Sequence, residues 1–478
     1  MSSSLPATTP PATSPPVTSP PATSPARAGA ERRNGQSLGA VLGALSHALD
    51  LTEGQPAGHC LRSAWLAYAV AEEIGLDEGA RSDVYFTALC KDLGCSSNAA
   101  RICELYLADD LAFKRDFKLI DGSLSSALRF VLSHTGTGSQ LTERVGAIVN
   151  ILRNGGEIAR SLIETRCERG ADIAARIGLS ESVQDGIRSL DEHWNGAGKA
   201  AGLAGEAIPL PSRIALVAQV ADIFHVARGR EAARCEVRAR AGTWFEPRLA
   251  EAVADLPDDV WSALASDDIE TRVLALPPAL RSDRPDEDRL DAIANAFAQV
   301  VDAKSPFTAN HSERVALYAD MIAAELGHGA DERRVLRRAG LLHDLGKLGV
   351  SNDILDKNGR PTEDEWATIR MHPVHGERIL SRVDAFKDLA PLALSHHERL
   401  DGAGYPNGVA AEALDLPTRI LSVADVFDAL SADRPYRAAM PLTKVLATMR
   451  EDVAAAFDGD VFAALERALA KSELFAGR

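Results

Sequence analysis

The sequence predicts an all-α fold: two tandem HD-type helical domains behind a disordered N-terminal tail. Three observations carry this. From Leu38 onward, Ala, Leu, Val and Ile recur at three- and four-residue spacing, as in RVALYADMIAAELG over 314–327, the period of a helix with one buried face. Strand-like alternation is scarce, and glycines follow expected helix ends, Gly327 after Leu326 and Gly346 after Leu345, as a C-cap favours. The third observation is that the two halves of the chain repeat one another.

Each segment follows in order. Residues 1–36 are mostly Pro, Ser, Thr and Ala in repeated wording. Such a stretch cannot bury enough surface to offset its ordering entropy, so disorder is expected. The first domain is expected over 37–260 and the second over 286–478, with a linker at 261–285. The stretch LPPALRSDRPDEDR at 276–289 is rich in Pro and charge, as domain linkers are.

The repeat falls into two registers. His59-x-x-Arg62 resembles His311-x-x-Arg314, and KDLG at Lys91 resembles HDLG at His343, both 252 residues later. RGADI at Arg169 matches HGERI at His375, NGAG at Asn195 matches DGAG at Asp401, and GLAGEAIPLPSRI from Gly202 tracks GVAAEALDLPTRI from Gly408, now 206 later. The first copy therefore carries a 252 − 206 = 46-residue insertion between Gly94 and Gly170. Across these registers His343 faces Lys91, His372 faces Arg166, His396 and His397 face Leu190 and Asp191, and Asp425 faces Gln219. Only His59 and Asp92 survive, so the first copy reads as an inert fold used for pairing, sensing or support.

Composition narrows the partners. The chain holds 52 Lys and Arg against 68 Asp and Glu, a formal charge of −16, which argues against a nucleic-acid polymer. The six cysteines lie scattered in the first half, the pattern of reduced thiols rather than a disulfide framework. No apolar run approaches the ~20 residues of a bilayer span, and the N-terminus lacks the marks of a secretory signal. A cytoplasmic protein without membrane contact is expected.

The second half concentrates metal-ligand chemistry. His311 opens an amphipathic segment. His343 and Asp344 end an apolar run. His372 precedes a proline, His396-His397 end LAPLALS, and Asp425 sits in RILSVADVFDAL, apolar on nearly every side. An ionised Asp there needs a partner or a cation. Adjacent His396 and His397 project in different directions, so each could bind a different ion. Five imidazoles and two carboxylates exceed what one ion needs, and they suit transition metals better than Mg or Ca. Two divalent ions bridged by Asp344 would activate a water and clamp a phosphoryl group.

Taken together, HSERV, LLHDLGKLGVSNDILDK, MHPVHG, HHERLDGAGYP, ADVFDALSADRPYRAAM and AAFDGDV resemble the HD-GYP family, the HD-domain group that hydrolyses cyclic di-GMP. The resemblance covers about 286–470 with all motifs intact and about 37–255 in degenerate form. Leu400 stands where an aromatic is frequent. The resemblance implies His311, His343, Asp344, His372, His396, His397 and Asp425 as metal ligands, with iron or manganese as the ions. It implies Lys347 beside Asp344 at the scissile phosphate. Arg434 and Arg437 are implied to hold substrate phosphate, and Gly404, Tyr405 and Pro406, in the loop of the family name, to contact substrate, with glycine permitting close approach of backbone to ligand.

The expected activity is hydrolysis of cyclic di-GMP to pGpG, GMP or both. The alternatives are a non-catalytic cyclic-dinucleotide effector, or an HD phosphohydrolase acting on another nucleotide. A homodimer is one candidate assembly. The resemblance also implies that members with a third ion use a glutamate four residues before the first histidine. Phe307 stands there, so two ions are expected.

Overall fold

The computed structural model describes residues 36–120, 123–276, 283–433 and 439–472. The proline-rich tail, part of the expected linker, and Arg434 and Arg437 lie outside the described residues.

The first copy contains α1 (Leu38–Thr52), α2 (His59–Glu73), α3 (Glu78–Cys90), α4 (Ala99–Tyr106), α5 (Asp110–Phe117), α6 (Leu124–His134), α7 (Leu141–Arg176), α8 (Glu181–Arg188), α9 (Leu210–Arg228), α10 (Arg230–Ala239) and α11 (Pro247–Ala254). Two short helices follow, α12 (Asp258–Ala263) and α13 (Ile269–Leu274). The second copy contains α14 (Glu287–Asp302), α15 (His311–Glu325), α16 (Ala330–Leu342), α17 (Asn352–Leu355), α18 (Glu363–Ile369), α19 (His372–Leu380), α20 (Ala390–Ser395), α21 (Leu416–Ser431), α22 (Leu442–Glu451) and α23 (Gly459–Lys471). Among the described residues the only β contacts are two isolated bridges, Ala241–Phe245 and Val453–Phe457.

Local chemistry sets the helix starts. Ser37 caps α1, Asp77 caps α3, Asp286 caps α14 and Asp415 caps α21, each side chain accepting a backbone N–H of the first turn. These bonds satisfy donors that a helix start otherwise leaves unpaired. Proline in the first turn of α9 and α21 costs no hydrogen bond there.

The repeat is visible in three dimensions. α2 and α15 have 15 residues each, α3 and α16 have 13, and both pairs stand 252 apart. The 46-residue insertion lies within 95–169, a stretch that holds α4 to α6 and most of the 36-residue α7. One buried cluster runs from Leu38 and Leu45 through Phe224 and Phe297 to Phe427, so the copies share a core. α1 packs on residues 345–349 and on α19 of the other copy.

Two sequence expectations need correction. The first part of the expected linker is folded: α12 and α13 bury Trp261 and Val273, because an aromatic and a branched side chain gain more from burial than a linker gains from solvation. In addition, α9 is long and apolar enough to match a membrane span. It serves as a core helix instead, with Ile214, Val217, Val220 and Phe224 packed inside the protein.

Candidate metal centre

The seven expected ligands converge. Asp344, His372, His396 and His397 form one group, and His311, His343 and Asp425 another, with ligand atoms in each within 4.8 Å of one another. Adjacent His396 and His397 both reach the centre, with His396 Nε2 3.7 Å from Asp344 Oδ1 and His397 Nδ1 3.7 Å from Asp425 Oδ2. The chain turns after α20, and their ring centroids come within 4.0 Å. Asp344 lies between the groups: Oδ2 is 3.4 Å from His311 Nε2 and 3.3 Å from His343 Nε2, while Oδ1 is 3.3 Å from His372 Nε2.

Helix ends position these side chains. His311 and His372 open α15 and α19, and His343 closes α16. Gly346 lets the 345–349 turn pack on α19, since a methyl there would collide with the carbonyl oxygen of His372. Gly94 and Arg166 stand in the same relation in the first copy.

The histidines are oriented alike. Nδ1 of His343, His372 and His396 donates to the carbonyl three residues earlier, at 2.8, 2.7 and 2.7 Å. Nδ1 of His311 donates to Asp428 Oδ2 at 2.7 Å. Fixing Nδ1 in this way turns Nε2 inward as the ligand atom. His311 Nε2, His343 Nε2 and Asp344 Oδ1 are buried and make no hydrogen bond.

The electrostatics suit cations. Burial lowers His372 to about 4 and also lowers His396 and His397, which keeps them in the neutral ligand form. Burial works against charge on His343 too, but Asp344 and Asp425 hold it up at about 9. His311 is raised in the same manner. Burial would raise Asp344 and Asp425, yet the imidazoles hold both well below the usual carboxylate range, with Lys347 adding to the effect at Asp344. Two buried carboxylates thus require positive charge between them, and divalent transition metals fit this donor set.

On the open side Lys347 Nζ meets Asp344 Oδ2 at 2.5 Å. The Tyr405 ring lies over His397 with centroids 4.7 Å apart. Glycine at 404 was expected to admit a ligand. Instead a Cβ there would strike the backbone of His397, Glu398 and Arg399, so the loop packs against itself. Pro406 follows in the same loop, half-buried. Phe307, four residues before His311, lies outside α15, which begins at His311, and belongs to a separate turn at Pro306–Thr308.

Several supporting residues escaped the sequence reading. Asp428 holds both His311 and Arg314, whose Nε donates at 2.5 Å. Asp302 accepts from the Ser312 N–H and hydroxyl at 3.1 and 2.7 Å. Glu398 accepts the N–H groups of Asn407, Gly408 and Val409 at 2.7, 3.1 and 3.1 Å, shaping the loop. The repeat held the signal: Asp222 holds His59 and Arg62 at 2.7 Å, and Asp50 accepts from Gly58 and Cys60 at 2.6 and 2.8 Å. These supports persist in both copies even though the ligands do not.

In the first copy, ion pairs stand at the matching positions. Lys91 pairs with Asp92, Lys118 with Glu53, and Arg166 with Asp191. Glu53, Asp92 and Cys95 converge there as well, but the two ammoniums already engage the carboxylates.

Comparison with known proteins agrees with this geometry. The HD domain family matches residues 139–243 and 295–461. The chain is 51% identical over 434 residues to the 3′3′-cGAMP-specific phosphodiesterase 3 of Vibrio cholerae serotype O1, covering 90% of this chain and 94% of that protein. It is 35% identical over 216 residues to the cyclic di-GMP phosphodiesterase response regulator RpfG of Xanthomonas campestris pv. campestris, covering 45% and 57%. A crystal structure of a cyclic GMP-AMP specific phosphodiesterase of V. cholerae, V-cGAP3, aligns with a TM-score of 0.64 at 46% identity, covering 91% of this chain and 98% of that one.

Proposed function

Because the chain belongs to the HD-domain family, within its HD-GYP branch, and is a metal-dependent phosphodiesterase of a cyclic-nucleotide second messenger, we propose that its substrate is 3′3′-cGAMP. The sequence expectation of cyclic di-GMP gives way to its alternative, another cyclic dinucleotide. The supporting observation is the extent of the match: identity to the cGAMP-specific enzyme runs through both copies, whereas the match to the cyclic di-GMP enzyme RpfG spans less than half of this chain. Substrate choice rests on walls and loops around a shared centre, so a match over the whole chain weighs more than one over the ligand motifs.

His372, His396 and His397 would hold one divalent ion, and His311, His343 and Asp425 the other, with Asp344 shared by the two groups and iron or manganese as candidates. Such a pair supplies an activated water and neutralises phosphoryl charge. The chain's own groups do the rest. Asp428 keeps the His311 imidazole in one tautomer. Lys347 is our candidate for contact with the scissile phosphate, because its ammonium is partly exposed at the rim. Tyr405, over His397, offers an aromatic face on which a base can stack.

The test is a product assay on purified full-length chain loaded with iron or manganese, given 3′3′-cGAMP, cyclic di-GMP and cyclic di-AMP separately. The expected result is the highest kcat/KM with 3′3′-cGAMP and a linear dinucleotide as first product. A higher value with cyclic di-GMP would reject this assignment and restore the one expected from sequence.

A further inference from the structure

The hairpin of α6 and the first half of α7 belongs to the insertion that the second copy lacks. Its inner face packs a small core of its own, with Phe130 and Ile151 against Ile102, Leu105, Tyr106 and Phe113. Its outer face is apolar too. On α6, Leu124, Leu128 and Leu132 stand in a row at four-residue spacing, 87%, 40% and 45% exposed. On α7, Leu141, Val145, Val149 and Leu152 form a second row, with Leu141 75% exposed.

The rows adjoin where the helices meet. The Arg144 guanidinium donates to the Leu132 carbonyl at 2.9 Å, which brings the start of one row beside the end of the other. Monomeric proteins seldom leave an apolar patch of this size bare. These seven side chains expose on the order of 700 Å², close to the ~800 Å² that each partner contributes to a standard interface.

We propose that this face is a dimerisation surface and that its occupant is the same hairpin of a second copy. Two adjacent helices with apolar rows on one side are half of a four-helix bundle, and the missing half is another such pair. A two-fold axis supplies it from an identical chain, matching each row with one of the same spacing. An anionic lipid surface is a poorer occupant. The chain carries a net charge of −16, and α6 with residues 141–156 offers only Arg129, Arg144 and Arg153 as cations, of which Arg144 is engaged by the Leu132 carbonyl, whereas helices that lie on membranes are rich in Lys and Arg along the polar face.

Sedimentation velocity of the full chain at micromolar concentration tests this. The expected particle has twice the 50.9 kDa chain mass. Leu128→Glu combined with Val145→Glu should return it to a monomer with unchanged far-UV circular dichroism, since both side chains face outward. A milder variant guards against misfolding: Leu132→Cys, with the exposed Cys235 changed to Ser, should give a dimer band with a bismaleimide crosslinker. A monomeric wild type overturns the proposal, as does a dimer that survives the double substitution. A wild type that stays monomeric yet co-sediments with phosphatidylglycerol vesicles overturns it in favour of a lipid surface.

Discussion

Asp110 in the first copy accepts a hydrogen bond from the Ser351 hydroxyl in the second at 3.1 Å, with both residues buried. The same carboxylate accepts the Asn352 N–H at 2.9 Å and lies 3.5 Å from the Lys304 ammonium and 3.4 Å from that of Lys114. Ser351 and Asn352 come directly after the turn that carries Lys347. A buried charge cluster thus joins α5 of the first copy to the segment after the Lys347 turn in the second.

Replacing Asp110 by Asn leaves two buried ammoniums without their carboxylate, and should cost about 3–5 kcal/mol of stability. Burial raises the Asp110 carboxyl, but Lys304 and Lys114 outweigh it and hold the pKa at about 2. A depressed carboxylate stabilises the fold fully above its unfolded value near 3.9, and this part is lost as pH falls through about 2. The gap in urea unfolding between wild type and Asp110→Asn should therefore narrow by about 1 kcal/mol between pH 5 and pH 3. A gap that does not change with pH would mean Asp110 is not ionised in the folded protein.

Asp344→Ala and Asp92→Asn should separate the two copies. The first removes the carboxylate shared by both ligand groups, so bound metal and turnover should fall to background while circular dichroism holds. The second leaves Lys91 buried without its partner and should lower stability by about 3–5 kcal/mol. Below its unfolding temperature its kcat should stay within a factor of about two of wild type, less than 1 kcal/mol of barrier. Full turnover by Asp344→Ala, or none by folded Asp92→Asn, would reverse the roles assigned to the copies.

Asp428→Asn should act through His311. An amide accepts the Nδ1 proton less well than a carboxylate and holds the ring less firmly. Removing such a partner of a ligating histidine typically weakens metal binding 10–100-fold. A manganese titration followed by activity should show the midpoint moved by that factor, with turnover recovered at saturating metal. Asp222→Asn, its counterpart beside His59, should leave the midpoint in place.

Elemental analysis after anaerobic loading should find about two ions per chain, as a two-metal centre requires. Phe307 offers no ligand, and the Thr308 hydroxyl, which donates to the Asp302 and Ser305 carbonyls at 3.1 and 3.0 Å, offers only a weak neutral oxygen. Three ions per chain, with one lost in a His311→Ala variant, would show that another oxygen completes a third site.

The sequence alone made the helical class and the duplication legible, and it named the seven candidate ligands that the fold brings together. Helical period and ligand chemistry are properties of residues and their spacing, so they survive without coordinates. Only the tertiary structure decided how His396 and His397 share a site, because the turn after α20 sets their directions. It alone brought Asp428 to His311, 117 residues away, and Asp110 to Ser351, 241 residues away. It also showed that the copies share one core, and that two short helices occupy the first part of the stretch expected as linker. An isolated Asp carries no sign of the partner it will find, since a buried charge is paid for by groups that only folding brings within reach.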